Sequence, residues 1–411
     1  MSTVTFDDLG LAEPLLRAIS DEGYSEPTPI QQTAIPSALA GRDIIGTAKT
    51  GTGKTAAFAL PLLQKLIGRP KSDRKHISAV ILTPTRELAL QIDESVRNYG
   101  RHVGVRTVVV LGGVKSDPQI RKLQQGVDVV VATPGRMLDL MRQGHVQLGR
   151  VEVFVLDEAD RMLDMGFVHD VRQIEGHVPK ERQTFFFSAT MSPAIRSLAS
   201  TMLVDPETVA VTPPASVADN IDQQVMYVDM KDKPDLLAHV LSSMEVDRTL
   251  IFTRTKVAAT HVARQLDGRG ISAEAIHSNK TQSQRQRALA AFDKGRVQVL
   301  VATDIMARGI DVEDITHVIN YELPEDAENY VHRIGRTARA GKAGVALSLC
   351  DLEEISLLRN VERFTRIPLR VVEDQPYHSV GVAACRDAAT RKAKSRSRAG
   401  SARGSGSKWS R

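Results

Sequence analysis

Two short strings hold the side chains with the most chemistry: Ala48-Lys49-Thr50-Gly51-Thr52-Gly53-Lys54-Thr55 and, about a hundred residues later, Leu156-Asp157-Glu158-Ala159-Asp160. In the first, Gly51 and Gly53 let backbone N–H groups close around phosphates. Lys54 suits the β/γ oxygens, and the Thr55 hydroxyl suits a magnesium ion. The second ends an apolar run, Val151 to Leu156, in two carboxylates. A buried strand that stops at paired acids has a cation or a proton to manage. Asp157 is then placed to hold Mg2+ through its water shell, and Glu158 to orient and deprotonate an attacking water. Together the strings imply hydrolysis of a nucleoside triphosphate, with Ala48, Thr50, Gly51, Thr52, Gly53, Lys54 and Thr55 lining the nucleotide. The general phosphate-loop pattern begins with Gly, and here that position is Ala48.

Such loops need strands behind them. Strand-like runs at Ala79–Leu82, Thr107–Leu111, Val127–Val131, Val151–Leu156 and Thr184–Phe187 alternate with helical patterns. A second series follows at Thr249–Phe252, Val297–Val301, His317–Asn320 and Val345–Leu349. Short β-rich runs separated by helix-length segments predict parallel sheets of right-handed βαβ units, an α/β fold in two domains. Between the series, Val211-Thr212-Pro213-Pro214-Ala215-Ser216-Val217-Ala218-Asp219 interrupts both periods and reads as a linker. The second half has no Gly-Lys-Thr loop, which suggests one ATP bound between two similar domains.

Composition fits this picture. At 411 residues with 42% hydrophobic content the chain can bury two cores, and no run approaches the length of a membrane span. The start of the chain has neither a basic segment nor an apolar one, so no secretion signal is visible. Two cysteines, Cys350 and Cys385, form no framework and fit a reducing compartment, the cytoplasm. The net charge of +5 is uneven: from Arg386 onward nine Lys/Arg face one acid, Asp387, which leaves the rest at about −3. Thr390 to Arg411 is a basic, low-complexity tail expected to be disordered and to favour a polyanion.

The pattern Ala-x-Thr-Gly-x-Gly-Lys-Thr with Asp-Glu-Ala-Asp resembles the DEAD-box family of ATP-dependent RNA helicases. The blocks run in family order from Phe6 to about Gly341. The resemblance implies two tandem RecA-like domains, 1–210 and 220–375, joined by the linker 211–219 and followed by a basic disordered tail, 376–411. It implies ATP and Mg2+ as cofactors and RNA, held mainly by its backbone, as partner. In Gly23-Tyr24-Ser25-Glu26-Pro27-Thr28-Pro29-Ile30-Gln31, similar to the family's adenine-sensing motif, Gln31 would read the adenine edge and Tyr24 would stack on the ring, with Phe6 packing nearby. Pro84-Thr85-Arg86, Gly112-Gly113 and Thr133-Pro134-Gly135-Arg136 each follow a predicted strand, where open α/β sheets bind ligands. As an ordered set they resemble the family's RNA-backbone motifs; each alone also suits a turn or helix cap.

Ser188-Ala189-Thr190 would couple RNA to the acidic motif through hydroxyl bonds to Asp160, with helix capping as the bland alternative. In the second half, Gln282 and Arg285 are RNA-contact candidates, and a charged helical face is the rival reading. There Ser278-Asn279 departs from a His-Gly-Asp version common in the family. The resemblance assigns Thr303 and Arg308 to RNA and Asp311 to the ribose hydroxyl. Arg333, Arg336 and Arg339 recur every three residues, a pattern costly on one face without an anion opposite. Arg336 and Arg339 resemble the family's arginine fingers. Ala338 and Asn279-Lys280-Thr281-Gln282 lean toward the bacterial RhlE-type branch.

The implied mechanism is closure of the domains on ATP and RNA, local duplex opening, and reset by hydrolysis. The rivals are a DNA-translocating helicase and a non-enzymatic RNA-binding scaffold. The RNA and pathway stay open between ribosome assembly, mRNA decay and cold adaptation, with ribosomal or RNA-decay proteins as further partners. A monomer is the default.

Overall fold

The computed structural model describes residues 4–48, 52–68, 76–210, 220–243, 248–304, 315–338 and 342–386. Thr50, Gly51, Arg308, Asp311, Arg339, the linker 211–219 and the tail from residue 387 lie outside them. The chain divides into two compact units, Met1–Pro214 and Ala215–Arg411.

Unit 1 is built on seven strands: β1 (Ile44–Thr47), β2 (Ala79–Leu82), β3 (Thr107–Val110), β4 (Val129–Ala132), β5 (Val153–Leu156), β6 (Gln183–Ser188) and β7 (Glu207–Ala210). They form one sheet in the order β3-β4-β2-β5-β6-β1-β7, and every pairing is parallel. Parallel strands covered on both faces read as continuous apolar runs, because alternate side chains feed different cores. Along β5, Val153 and Val155 enter one core while Phe154 and Leu156 enter the other. Each such side chain, fully buried, contributes about 1.5–3 kcal/mol.

Unit 2 repeats the plan with β8 (Ile221–Tyr227), β9 (Thr249–Thr253), β10 (Ala273–Ile276), β11 (Val299–Thr303), β12 (His317–Asn320), β13 (Gly344–Cys350) and β14 (Arg370–Val371). Their order is β10-β11-β9-β12-β13-β8-β14, again all parallel.

The predicted strand runs are present, with ends moved by up to two residues. Five strands were not anticipated: β1, β7, β8, β10 and β14. Three of them (β7, β10, β14) are edge strands, with a neighbour on one side alone. β8 hides its strand character behind Asp222-Gln223-Gln224, whose two glutamines are nonetheless buried, Gln223 accepting a bond from Tyr330 Oη (3.2 Å).

The expected onset of a disordered tail at residue 376 is corrected. Val228 and His378 form an antiparallel bridge, Ser379 Oγ donates to Asp229 Oδ1 (2.7 Å), and Val382 is buried in the core. Arg386 closes the segment on Glu362 (2.6 Å). Val382 is the single buried apolar side chain among the described residues after Gln375, too little apolar signal for a period to be read.

Candidate nucleotide site and nucleic-acid face

In unit 1 the phosphate loop, the acidic motif, the Ser188–Thr190 segment and the three ledge motifs sit at the carboxyl ends of strands, while the Gly23–Gln31 motif leads into the helix Pro29–Leu39 ahead of β1. The backbone ladder runs one residue past the strands and pins the first motif residue: Ala48 N–H donates to the Ser188 carbonyl (3.2 Å), Thr133 N–H to Val110 (3.1 Å), and Asp157 N–H to Leu82 (2.9 Å). The motifs thus share one rim of the sheet.

After β1 the chain passes Thr52 and turns at Gly53, in the left-handed region (φ 87°), into the helix Lys54–Leu66, with Thr55 half-buried in its first turn. A side chain at Gly53 would run into the Gln31 amide. Lys54 is buried, and its Nζ donates to the Ala48 carbonyl (2.9 Å), so the ammonium closes the loop on itself. Asp157, at the end of β5, is 3% exposed. Burial pushes its carboxyl up to about 6; Lys54 opposes this and Glu158 reinforces it. One oxygen, Oδ1, accepts the Glu158 N–H (3.0 Å).

A buried carboxylate at a strand end, beside a phosphate loop and a threonine, suits Mg2+, which takes one or two carboxylates plus phosphate oxygens and water rather than a protein cage. Accordingly, no group of three acids, His or Cys that could hold a metal exists among the described residues.

Glu158 itself stands in the left-handed region (φ 55°, ψ 52°), where it turns β5 into the helix Ala159–Asp164. Such a backbone costs on the order of 1–3 kcal/mol and concentrates at functional sites. Its Oε2 accepts from Arg161 Nη1 (2.9 Å), and both side chains are buried. Arg161 was not anticipated; the i,i+3 spacing from Glu158 was the available signal.

Asp160 links the acidic motif to the segment after β6. Its Oδ2 accepts from Ala189 N–H (3.1 Å), Thr190 N–H (2.9 Å) and Thr190 Oγ1 (3.2 Å). Ser188 Oγ instead accepts the Asp160 N–H (3.3 Å) and donates to the Thr190 carbonyl (2.8 Å). Neither residue caps the next helix; Ser192 does, accepting from Ile195 N–H (3.3 Å).

Of the adenine candidates, Phe6 is buried in a core and Tyr24 is 47% exposed, its ring 6.3 Å from that of Tyr99. Gln31 is engaged at both ends of its amide. Oε1 accepts the Thr28 N–H (2.9 Å) as a capping box, and Nε2 donates to the Gly53 carbonyl (3.0 Å). The amide therefore grips the phosphate loop directly.

On the opposite half of the rim, β3, β4 and β2 are neighbours. Pro84 is buried in the turn after β2, and Thr85 caps the helix Arg86–Tyr99, its Oγ1 accepting from Leu88 N–H (3.4 Å). The Arg86 guanidinium fills the space beside Gly113, where a Cβ would collide with it; Gly113 has φ 73°, and Gly112 is also in reach. Arg136, following Thr133 and exposed Gly135, donates to the Val114 carbonyl (3.2 Å) and pairs with Asp139 (3.5 Å). Three motifs read separately thus form one ledge, with two guanidinium groups around the 112–114 turn.

Unit 2 departs more from expectation. Gln282 and Arg285 are buried and hydrogen-bonded to each other, which excludes a solvated helical face. Thr303, the last residue of β11, is buried. The shared face predicted for Arg333, Arg336 and Arg339 is corrected for Arg333. That side chain is 1% exposed and already has its anion: Nε and Nη2 bond to Asp304 (2.5 and 2.9 Å), and Nη1 bonds to Asn320 Oδ1 (3.0 Å) and the Glu322 carbonyl (2.6 Å). It also lies over the Phe252 ring, 5.0 Å from the centroid. Helical phase alone placed it with the others, whereas the strand ends of β11 and β12 hold it. Arg336 is buried too, with Nε donating to the His332 carbonyl (3.3 Å).

Comparison with known proteins agrees with this geometry. The family description "DEAD/DEAH box helicase" matches residues 28–198, and "Helicase conserved C-terminal domain" matches residues 232–341. The chain is 43% identical over 362 residues to the DEAD-box ATP-dependent RNA helicase CshA of Bacillus cereus, covering 88% of this chain and 68% of that protein. It is 46% identical over 366 residues to the ATP-dependent RNA helicase DeaD of Mycobacterium tuberculosis, covering 89% of this chain and 64% of that protein. Among solved structures, S. cerevisiae Dbp5 bound to RNA and ADP BeF3 superposes with a TM-score of 0.81 at 34% identity, over 90% of this chain and 95% of that one. The two parallel sheets are tandem RecA-like domains, and the chain belongs to the DEAD-box family of ATP-dependent RNA helicases.

Proposed function

We propose that this helicase hydrolyses ATP on the rim of unit 1, with Lys54 on the β/γ phosphates and Glu158 as the base for the attacking water. The buried Glu158–Arg161 pair carries this reading, since it aims a carboxylate beside Asp157 and Lys54 at one strand end. Thr55 and Asp157 would hold Mg2+, which supplies charge neutralisation on the phosphates. Arg336 and Arg339 complete the site as arginine fingers, and Asp311 takes the ribose hydroxyl. Tyr24 and Gln31 take the adenine. Gln31 then reports base occupancy to the loop through Gly53.

RNA runs along the ledge of Pro84, Thr85, Arg86, Gly112, Gly113, Thr133, Gly135 and Arg136. In unit 2 it meets Thr303 and Arg308. Buried Gln282 and Arg285 position that surface rather than present it. Asp160 with Ser188 and Thr190 couples the two ligands, since one segment bonds both Ala48 and the acidic motif.

Steady-state phosphate release with and without single-stranded RNA, beside Glu158→Gln, tests this. RNA stimulation that vanishes in the variant supports it; RNA-independent or DNA-equivalent release overturns it. Depletion of Mg2+ by EDTA should abolish turnover and leave the thermal melt in place.

Ala338 and Asn279 support an RhlE-type branch, although the relatives above are named CshA and DeaD. A cytoplasmic monomer is the setting we assign. The compartment rests on the free cysteines, Cys350 and Cys385; among the described residues no helix is long and apolar enough to cross a membrane. Ribosomal or RNA-decay proteins are the further partners we would test, by co-purification.

A further inference from the structure

In unit 1 the ends of the helices Glu13–Asp21 and Arg86–Tyr99 meet through a set of bonds that no role above uses. Asp21 and Glu22 close the first helix. Neither suits that place, because a helix C-terminus disfavours negative charge and no basic residue stands in its last turn. Groups from the end of the second helix and the turn after it answer them. His102 Nε2 donates to Asp21 Oδ2 (2.7 Å), and this bond holds the Asp21 carboxyl below its usual range. Arg101 pairs with Glu22 and lies 3.8 Å from Asp21, and Asn98 Nδ2 donates to Glu22 Oε2 (3.2 Å).

Two residues past Glu22 stands Tyr24. Its N–H donates to the Ile19 carbonyl (3.2 Å), and its ring lies 6.3 Å from that of Tyr99, tilted by 55°. Tyr99 is buried and Tyr24 is half-exposed, so one flank of the Tyr24 ring is walled and the rest is open to a ligand. The mount behind it is rigid. Ala89, Ile92 and Val96 of the second helix are fully buried in the core, and Arg101 Nε donates to the Asn98 carbonyl (2.9 Å), which fixes the turn that carries the cations. The grip on the Tyr24 loop therefore comes from 76 to 81 positions away, outside every sequence motif described above.

We propose that Asn98, Arg101 and His102 are positioning residues for the nucleotide base: they hold Asp21 and Glu22, and so present the Tyr24 ring already aligned for a purine. The inference rests on the reading above that Tyr24 stacks on the adenine. A ring fixed before the ligand arrives spares the cost of ordering it on binding. Losing that alignment should weaken nucleotide binding and leave the phosphate chemistry alone, which separates KM from kcat.

The test is the RNA-stimulated ATPase of the full chain, with KM for ATP and kcat measured separately. Arg101 and His102 are exposed and Asn98 is half-buried, so their alanine variants should fold. Each is expected to raise KM about two- to fivefold, the ordinary worth of a partly exposed pair, with kcat and the thermal melt unchanged. Arg101→Lys should recover part of the loss. In a Tyr24→Ala background Arg101→Ala should raise KM no further, since the ring it aligns is gone. Arg97→Ala, on the same helix but paired with Asp93 (3.0 Å), should leave KM as it was.

An unchanged KM across the three alanine variants, a loss confined to kcat, or an equal rise in Arg97→Ala overturns the positioning role. So does a rise on Arg101→Ala that persists in full without Tyr24. Tyr24→Ala alone is measured first: if it leaves KM for ATP unchanged, the adenine reading itself is overturned, before any positioning residue is compared.

Discussion

Two buried arginines, one in each unit, each meet a carboxylate, and the two pairs are built differently: Glu158 is buried with its arginine, whereas the Asp304 side chain is 23% exposed. In unit 2, Arg333 spends four hydrogen bonds on Asp304, Asn320 and the Glu322 carbonyl, and an aromatic ring covers it. In unit 1, Arg161 meets Glu158 through one described charge-assisted bond, on a carboxylate whose backbone stands in the left-handed region. A saturated guanidinium is scaffold, since nothing is left to offer a ligand. An acid at a strained strand end, beside a second carboxylate with a raised pKa, is the group we propose to react.

The largest effect that would break this contrast is at Glu158. Glu158→Gln should lower RNA-stimulated turnover by about 10²–10⁴-fold, the usual worth of a general base, while the thermal melt barely moves. A folded variant with near-normal turnover would remove Glu158 from the chemistry.

Arg333→Ala should do the reverse and strike stability. Loss of the buried guanidinium and its four hydrogen bonds, with partly exposed Asp304 left unpaired, costs about 2–4 kcal/mol, read as a lowered denaturant midpoint. If the midpoint stays and only ATPase falls, Arg333 is an active-site group and the contrast fails.

Arg161→Ala sharpens the comparison, because it frees the Glu158 carboxylate without removing it. We expect kcat to fall by about tenfold, equivalent to the roughly 1.4 kcal/mol of one charge-assisted bond, with KM for ATP little changed. Arg161→Lys should restore part of that loss. The smallest effect belongs to Gly113→Ala. The left-handed backbone and the Arg86 guanidinium both oppose a Cβ there, at about 1 kcal/mol, which should appear as a several-fold weaker RNA affinity with basal ATPase unchanged.

How legible these features were depends on how local their causes are. The phosphate loop and the two acids could be read because glycine conformation, strand burial and motif spacing act within a few residues. Strands such as β2, β4 and β5 were readable because both their faces are apolar, whereas β1 and β8, also interior to their sheets, were not. The partner of Arg333 was not, since Asp304 lies 29 residues away and meets it only once β11 and β12 are side by side. Helical phase suggested a shared face, and tertiary pairing overrode it. The edge strands β7, β10 and β14, with a neighbour on one side alone, carried too weak an apolar pattern, and the packed stretch after Gln375 leans on a single buried valine.

The contact between Arg86 and Gly113 has an evolutionary corollary. Twenty-seven positions separate the two residues in the chain, yet one occupies the volume a side chain at the other would need. Position 113 cannot drift alone: a lineage that adds a Cβ there must first shorten or redirect residue 86. In an alignment of relatives, a side chain at 113 should occur only with a shorter residue at 86, and a bulky residue at 113 with arginine at 86 should be absent.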